Sequence, residues 1–171
     1  MSKQAIIQEM RVLPTIDANT EINRRVDFII QQLETSGCQS LVLGISGGVD
    51  SFTCGRLAQL AVEKLRQQNP NSSYQFYAVR LPYATQKDEQ DAQISLDAIA
   101  PDKILTVNIQ EATDAVNQQV CNTLEQANGA ISPEAIDFAK GNVKARVRMT
   151  SQYQVAAVSY TRLTLPTTER V

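Results

Sequence analysis

An eight-residue stretch constrains this chain more than any other: Gly44-Ile45-Ser46-Gly47-Gly48-Val49-Asp50-Ser51, entered by Ser40-Leu41-Val42-Leu43 and left by a long helical pattern. That order reads as strand, tight loop and helix. Gly44, Gly47 and Gly48 carry no Cβ, so the backbone is free to take positive φ and a polyanion can reach the main chain. The first N–H groups of the following helix lack intrahelical partners and sit at the positive end of its dipole. The stretch is therefore expected to cradle phosphate. Asp50 within it has two readings: a carboxylate that meets phosphates through a cation such as Mg²⁺, or a helix N-cap.

The 171 residues fit one domain with a hydrophobic core, and the 43% hydrophobic and 20% charged fractions are those of a soluble globular chain. A net charge of -2 argues against a broad nucleic-acid-binding surface, although cations cluster locally between Lys140 and Arg148. Three cysteines, Cys38, Cys54 and Cys121, show no metal-ligand spacing and are expected as reduced thiols in a cytoplasmic protein. No apolar run reaches the ~18 to 20 residues of a membrane span. The chain has no His, which excludes His-based nucleophile activation and His metal sites.

Along the chain, Ile6, Ile7 and Met10 pattern a short helix ended by Pro14. Asp17 or Asn19 caps a second helix with Ile22, Val26, Ile29, Ile30 and Leu33 on one face and Gly37 as its stop. After the central loop, Leu57 to Leu65 continue a helix to about Gln68, and Tyr74 to Leu81 read as a strand. A helix over Asp88 to Ile99, with Ala92, Ile94 and Ala98 or Ile99 inside, precedes a strand over Lys103 to Ile109. Glu111 to Ala127 form a further helix through Ala112, Ala115, Val116, Val120 and Leu124. Ser132-Pro133-Glu134 open another, which Gly141-Asn142 are expected to interrupt. Strands alternating with helices imply an α/β fold: a doubly wound, Rossmann-like parallel sheet with ligands at the carboxyl ends of its strands.

Two further motifs accompany the loop. Ala78-Val79-Arg80-Leu81-Pro82-Tyr83, with Gln86 beyond, ends the second strand next to the first, where Arg can engage phosphate and Gln can hydrogen-bond a nucleotide. Gly141-Asn142-Val143-Lys144-Ala145-Arg146-Val147-Arg148-Met149, continuing to Gln152-Tyr153, concentrates cations on a helix, which taken alone reads as a solvated face. Ser46-Gly47-Gly48-Val49-Asp50-Ser51 resembles the PP-loop of ATP pyrophosphatases. The ordered set of motifs, from about Ser2 to Val158, is similar to the ammonia-dependent NAD synthetases. The resemblance implies a ligase that adenylates deamido-NAD with ATP and lets ammonia displace AMP to give NAD. It assigns Gly44 to Ser51 to ATP, Asp50 to Mg²⁺, Arg80 and Gln86 to further ATP contacts, and Arg146, with Tyr153 as a second candidate, to deamido-NAD. It also implies a homodimer, with the N-terminal helix and the Glu111 to Ala127 helix as interface elements. No glutaminase segment precedes the loop, so free ammonia is the expected nitrogen donor. Another PP-loop ligase or tRNA-modifying enzyme, and a non-catalytic nucleotide-binding module, stay open beside this reading.

Residues 1–158 are expected to form the PP-loop domain, incomplete at its C-terminal side. Ser159 to Val171, Thr-rich with Pro166, follow neither a helical nor a strand period and are expected to be a non-native or disordered tail. Without the family's second acidic Mg²⁺ ligand, the chain alone is expected to be inactive as a synthetase.

Overall fold

The computed structural model describes residues 2–11, 13, 15–84 and 89–160. Helices α1 (Lys3–Glu9) and α2 (Ala18–Ser36) lead into strand β1 (Ser40–Gly44), and α3 (Val49–Gln68) returns to β2 (Gln75–Arg80). Then follow α4 (Glu89–Ile99), β3 (Lys103–Thr106), α5 (Gln110–Asn128) and α6 (Pro133–Tyr160). The strands form a parallel sheet in the order β1-β2-β3, with Gly44 opposite Val79 and Val79 opposite Leu105. The expected α/β fold is present, with helices on both faces.

Side chains alternate across the sheet, as strand geometry requires. Leu41, Leu43, Phe76 and Ala78 face α3 and α4, where Ala61, Val62, Leu65 and Ile99 are fully buried and Val26, Ile30 and Leu33 of α2 close the layer. Val42, Val79 and Leu105 turn to the opposite face, against Val147 and Val155 of α6. Of the two candidate caps of α2, Asp17 serves: its Oδ1 accepts from the Thr20 N–H at 2.7 Å, and the helix stops at Gly37.

Three expectations are corrected. The inner face of α4 is Ala92, Ser95, Leu96 and Ile99, a three-to-four repeat that leaves Ile94 60% exposed. β3 ends at Thr106 rather than Ile109: the chain stays bonded through Val107 N–H to Arg80 O, but Asn108 Oδ1 turns to accept from the Gln110 N–H and starts α5. Gly141-Asn142 does not break α6, which runs unbroken for 28 residues. One glycine costs a helix about 1 kcal/mol, and contacts on either side of Gly141 offset it. The apolar stripe of α5 also faces outward, with Val116, Val120 and Leu124 each more than 40% exposed, because α5 packs beside α6 rather than over the sheet.

The end of the sheet away from the glycine loop is tied by Asp102. Its carboxylate accepts from Arg66 Nη1 at 2.8 Å, the Phe76 N–H at 2.9 Å and Gln59 Nε2 at 3.4 Å. Burial pushes the Asp102 carboxyl up, but these three donors outweigh it and hold its pKa below the ordinary value of 3.8. A depressed carboxylate pKa contributes stability that is present above the unfolded-state value and lost as pH falls through the folded-state value. Urea titrations from pH 7 down to pH 2 should therefore show stability falling below about pH 4. Asp102→Asn should be less stable at pH 7 and should flatten that acid limb.

Candidate functional site

Ile45 N–H donates to Val79 O at 2.9 Å, the last rung of the β1–β2 pairing, and beyond it the chain leaves the sheet. Two serines then clasp the loop. Ser51 Oγ donates to Gly48 O at 2.9 Å, lies 3.2 Å from Ser46 Oγ and accepts from the Ser46 N–H at 3.3 Å, while the Gly48 N–H donates to Ser46 Oγ at 3.3 Å. Gly47 takes φ +89°, and a Cβ there would stand 3.0 Å from the backbone nitrogen of Ala92 in α4. Glycine is thus required by conformation and by space.

The N-cap of α3 is Gly48, with no side-chain cap, so the N–H groups of Val49, Asp50 and Ser51 lack an intrahelical acceptor. Asp50 lies in the first turn and is not the N-cap. Its exposed carboxylate makes no hydrogen bond or ion pair among the described residues.

A polar cavity of about 310 Å³ opens beside the loop, lined by Gly44, Ile45, Ser46, Val79, Leu81, Arg148 and Gln152. A second, of about 310 Å³, shares Arg148 and Gln152 and extends over Met149 and Tyr153. Helix α6 borders both. Gln152 Oε1 accepts from the Gly44 N–H at 2.8 Å, and a Cβ on Gly44 would meet that same oxygen at 3.1 Å. Arg148 Nε donates to Leu81 O at 3.0 Å.

One turn back, Lys144 Nζ lies 4.2 Å from the centroid of the Tyr83 ring, and Lys140 Nζ lies 5.3 Å from it. The Tyr83 hydroxyl donates to Asp114 Oδ1 at 2.7 Å, and Lys140 pairs with the same carboxylate oxygen at 2.7 Å. Lys140, then Tyr83, hold the Asp114 carboxyl below its ordinary value, and Asp114 raises the Lys140 ammonium in return. Residues 140, 144, 148 and 152 thus form a polar ladder at four-residue spacing, one helix face in contact with the loop after β2 and with the end of β1.

The sequence-predicted residues fall in several places. Gly44 to Ser51 run from the end of β1 through the loop into the first turn of α3. Arg80 is at the neighbouring strand end, but its side chain is only 4% exposed and its guanidinium is forked onto Glu89, Nη1 to Oε1 at 3.1 Å and Nη2 to Oε2 at 2.9 Å. Gln86 lies outside the described residues. Tyr153, 70% exposed, borders the second cavity. Arg146 is exposed and lines neither cavity. The residues that α6 does bring to the loop, Arg148 and Gln152, are legible only by stepping back from the apolar Val155. They precede it by seven and three residues and share its sheet-facing side, whereas Arg146 lies about 180° away.

A parallel sheet with a glycine-rich loop at its carboxyl end, leading into an uncapped helix start, defines an α/β protein whose loop geometry suits a polyanion. The NAD synthase family model matches residues 21–171, and the chain belongs to the NAD synthase family. It is 51% identical to the NH(3)-dependent NAD(+) synthetase of Psychromonas ingrahamii over 158 residues, covering 92% of this chain and 57% of that protein. The Vibrio vulnificus enzyme of the same name is 55% identical over 156 residues, covering 90% and 56%. The chain therefore spans little more than half the length of these relatives. A crystal structure of NAD+ synthetase from Burkholderia pseudomallei superposes with a TM-score of 0.79 at 44% identity, covering 91% of this chain and 65% of that one.

Replacing Gly47 by alanine forces a side chain into left-handed backbone, at about 1 to 2 kcal/mol, and against the α4 main chain. Gly47→Ala should lower the urea-unfolding free energy by at least that amount. Gly48→Ala, where φ is -78° and the added Cβ is 3.5 Å from its nearest neighbour, should cost less.

Proposed function

We propose that the site binds ATP for the ammonia-dependent amidation of deamido-NAD, which yields NAD, AMP and pyrophosphate. The observation that carries this reading is the serine-clasped loop set against the uncapped start of α3 and open to a polar cavity. The identity of over 50% to enzymes named for this reaction supports it.

In the reaction a carboxylate oxygen of deamido-NAD attacks the α-phosphorus, the bond to pyrophosphate breaks, and ammonia then displaces AMP from the acyl carbon. Both reacting groups are anionic. The protein's part is to bring them together and to take up the charge that collects on pyrophosphate. The N–H groups of Val49, Asp50 and Ser51 suit that charge, and the Ser46–Ser51 clasp sets their direction before ligand arrives. Asp50 would hold Mg²⁺. Among the described residues no group of three acidic, Cys or His side chains surrounds a metal position. A lone carboxylate without a competing partner still fits this ion, which is commonly held by one or two carboxylates together with substrate phosphates and water. Bound there, Mg²⁺ would neutralise part of the phosphate charge. Arg80, Gln86, Arg146 and Tyr153 keep their proposed roles, the first two at ATP and the last two at deamido-NAD, with Arg80, whose terminal nitrogens Glu89 holds, stacking on the base rather than gripping phosphate.

A homodimer and a reducing, cytoplasmic setting belong to the same reading. The exposed stripe Val116, Val120 and Leu124 supports the first. The free thiols of Cys38, Cys54 and Cys121 support the second. No helix among the described residues is long and apolar enough to cross a membrane.

Nucleotide binding is the decisive test, because the residues it calls on lie within this chain. Isothermal titration should show ATP binding that strengthens with Mg²⁺, and Asp50→Ala should remove most of the Mg²⁺-dependent gain without changing the far-UV circular dichroism. Unchanged Mg²⁺ dependence would withdraw the metal assignment, and absent ATP binding would withdraw the site. If the α5 stripe joins two copies, Val120→Asp should move the chain from dimer to monomer in sedimentation velocity.

A further inference from the structure

Resting on the ATP reading above, we infer that Arg148 binds phosphate, its terminal amines taking oxygens of the group held over the Gly44 to Ser51 loop. Among the described residues lining the polar cavity it is the charged one. Its Nε is fixed on Leu81 O at 3.0 Å, which sets the plane of the guanidinium. No hydrogen bond or ion pair holds either terminal amine among the described residues. Its terminal donors stay open to the cavity rather than being sealed by protein, and the planar fork matches two oxygens of a phosphate.

The contrast with Arg80 bears on the choice. Arg80 also stands at the carboxyl end of the sheet, but both of its terminal nitrogens are engaged by Glu89. Gln152 fixes Arg148 in register: its Nε2 donates to Arg148 O at 3.3 Å while its Oε1 holds Gly44. The backbone that positions the phosphate loop and the helix turn that carries the guanidinium are therefore joined through one side chain.

The test is isothermal titration of this chain, Arg148→Gln and Arg148→Lys with ATP and with inorganic pyrophosphate, alongside thermal melts. Arg148→Gln should weaken both ligands by roughly 10- to 100-fold, the range of a charged hydrogen bond. Arg148→Lys, which keeps the charge and loses the fork, should fall between. Unchanged affinity in Arg148→Gln overturns the inference. So does a loss for ATP with none for pyrophosphate, which would put the contact on the AMP part of the nucleotide rather than on the phosphates held over the loop. If Arg148→Gln fails to fold for want of the Leu81 bond, Arg148→Lys carries the test, and a folded Arg148→Lys that binds both ligands as the parent does overturns it. Failure of the parent chain to bind either ligand instead sinks the ATP reading itself, and the role of Arg148 with it.

Discussion

The hydrogen bond from the Ile45 N–H to Val79 O is the constraint on which the rest of the site depends. It is the last rung between β1 and β2, so the glycine loop starts at a fixed point of the sheet. Parallel pairing then brings the end of β2 alongside, with Arg80, Leu81 and Tyr83 at the cavity side or just beyond it. Had β1 and β2 paired antiparallel, those residues would lie at the far end of the sheet. The crossover helix α3 is what permits the parallel arrangement, and its uncapped start leaves free N–H groups beside the loop.

The fold was readable in the sequence wherever a local signal and a long-range one agreed. β1, α3 and β2 alternate apolar strand, glycine loop and amphipathic helix, and tertiary packing confirmed each. Ile94 shows where agreement failed. A short helix with apolar residues at several phases offers more than one face, and the choice of Leu96 over Ile94 is made by Ile45, Gly55 and Phe76, which are distant in sequence. The stripe of α5 was legible as apolar and left open what covers it, since periodicity reports that a face is apolar but not what packs on it. Within the site, the shape of the loop was legible because backbone conformation is written in glycine and serine. Arg80 was legible by place but not by partner, because nothing local announces that Glu89 will close on its fork.

Helix α6 raises a separate physical point. An α-helix advances about 100° per residue, so a four-residue step overshoots one full turn by about 40°. Contacts at 140, 144, 148 and 152 therefore wind slowly around the helix, and they are satisfied in sequence by Tyr83, Tyr83 again, Leu81 O and the Gly44 N–H. Such a ladder works only if the helix is continuous. A break at Gly141-Asn142 would leave Lys140 out of phase with Lys144, and the two ammonium groups could no longer share one aromatic ring.

The same geometry separates the two arginines of Lys144-Ala145-Arg146-Val147-Arg148. Arg148 belongs to the ladder and is held to the sheet by a backbone carbonyl, whereas Arg146 points away from it and is exposed. One rigid element thus presents cations in two directions, one toward the glycine loop and one outward. Because Gln152 binds both the Gly44 N–H and the Arg148 carbonyl, a shift of α6 along its axis would disturb the loop and the guanidinium together. The position of the glycine loop and the position of the Arg148 guanidinium beside it are therefore a single structural variable, set by the packing of Val147 and Val155 against Val42, Val79 and Leu105.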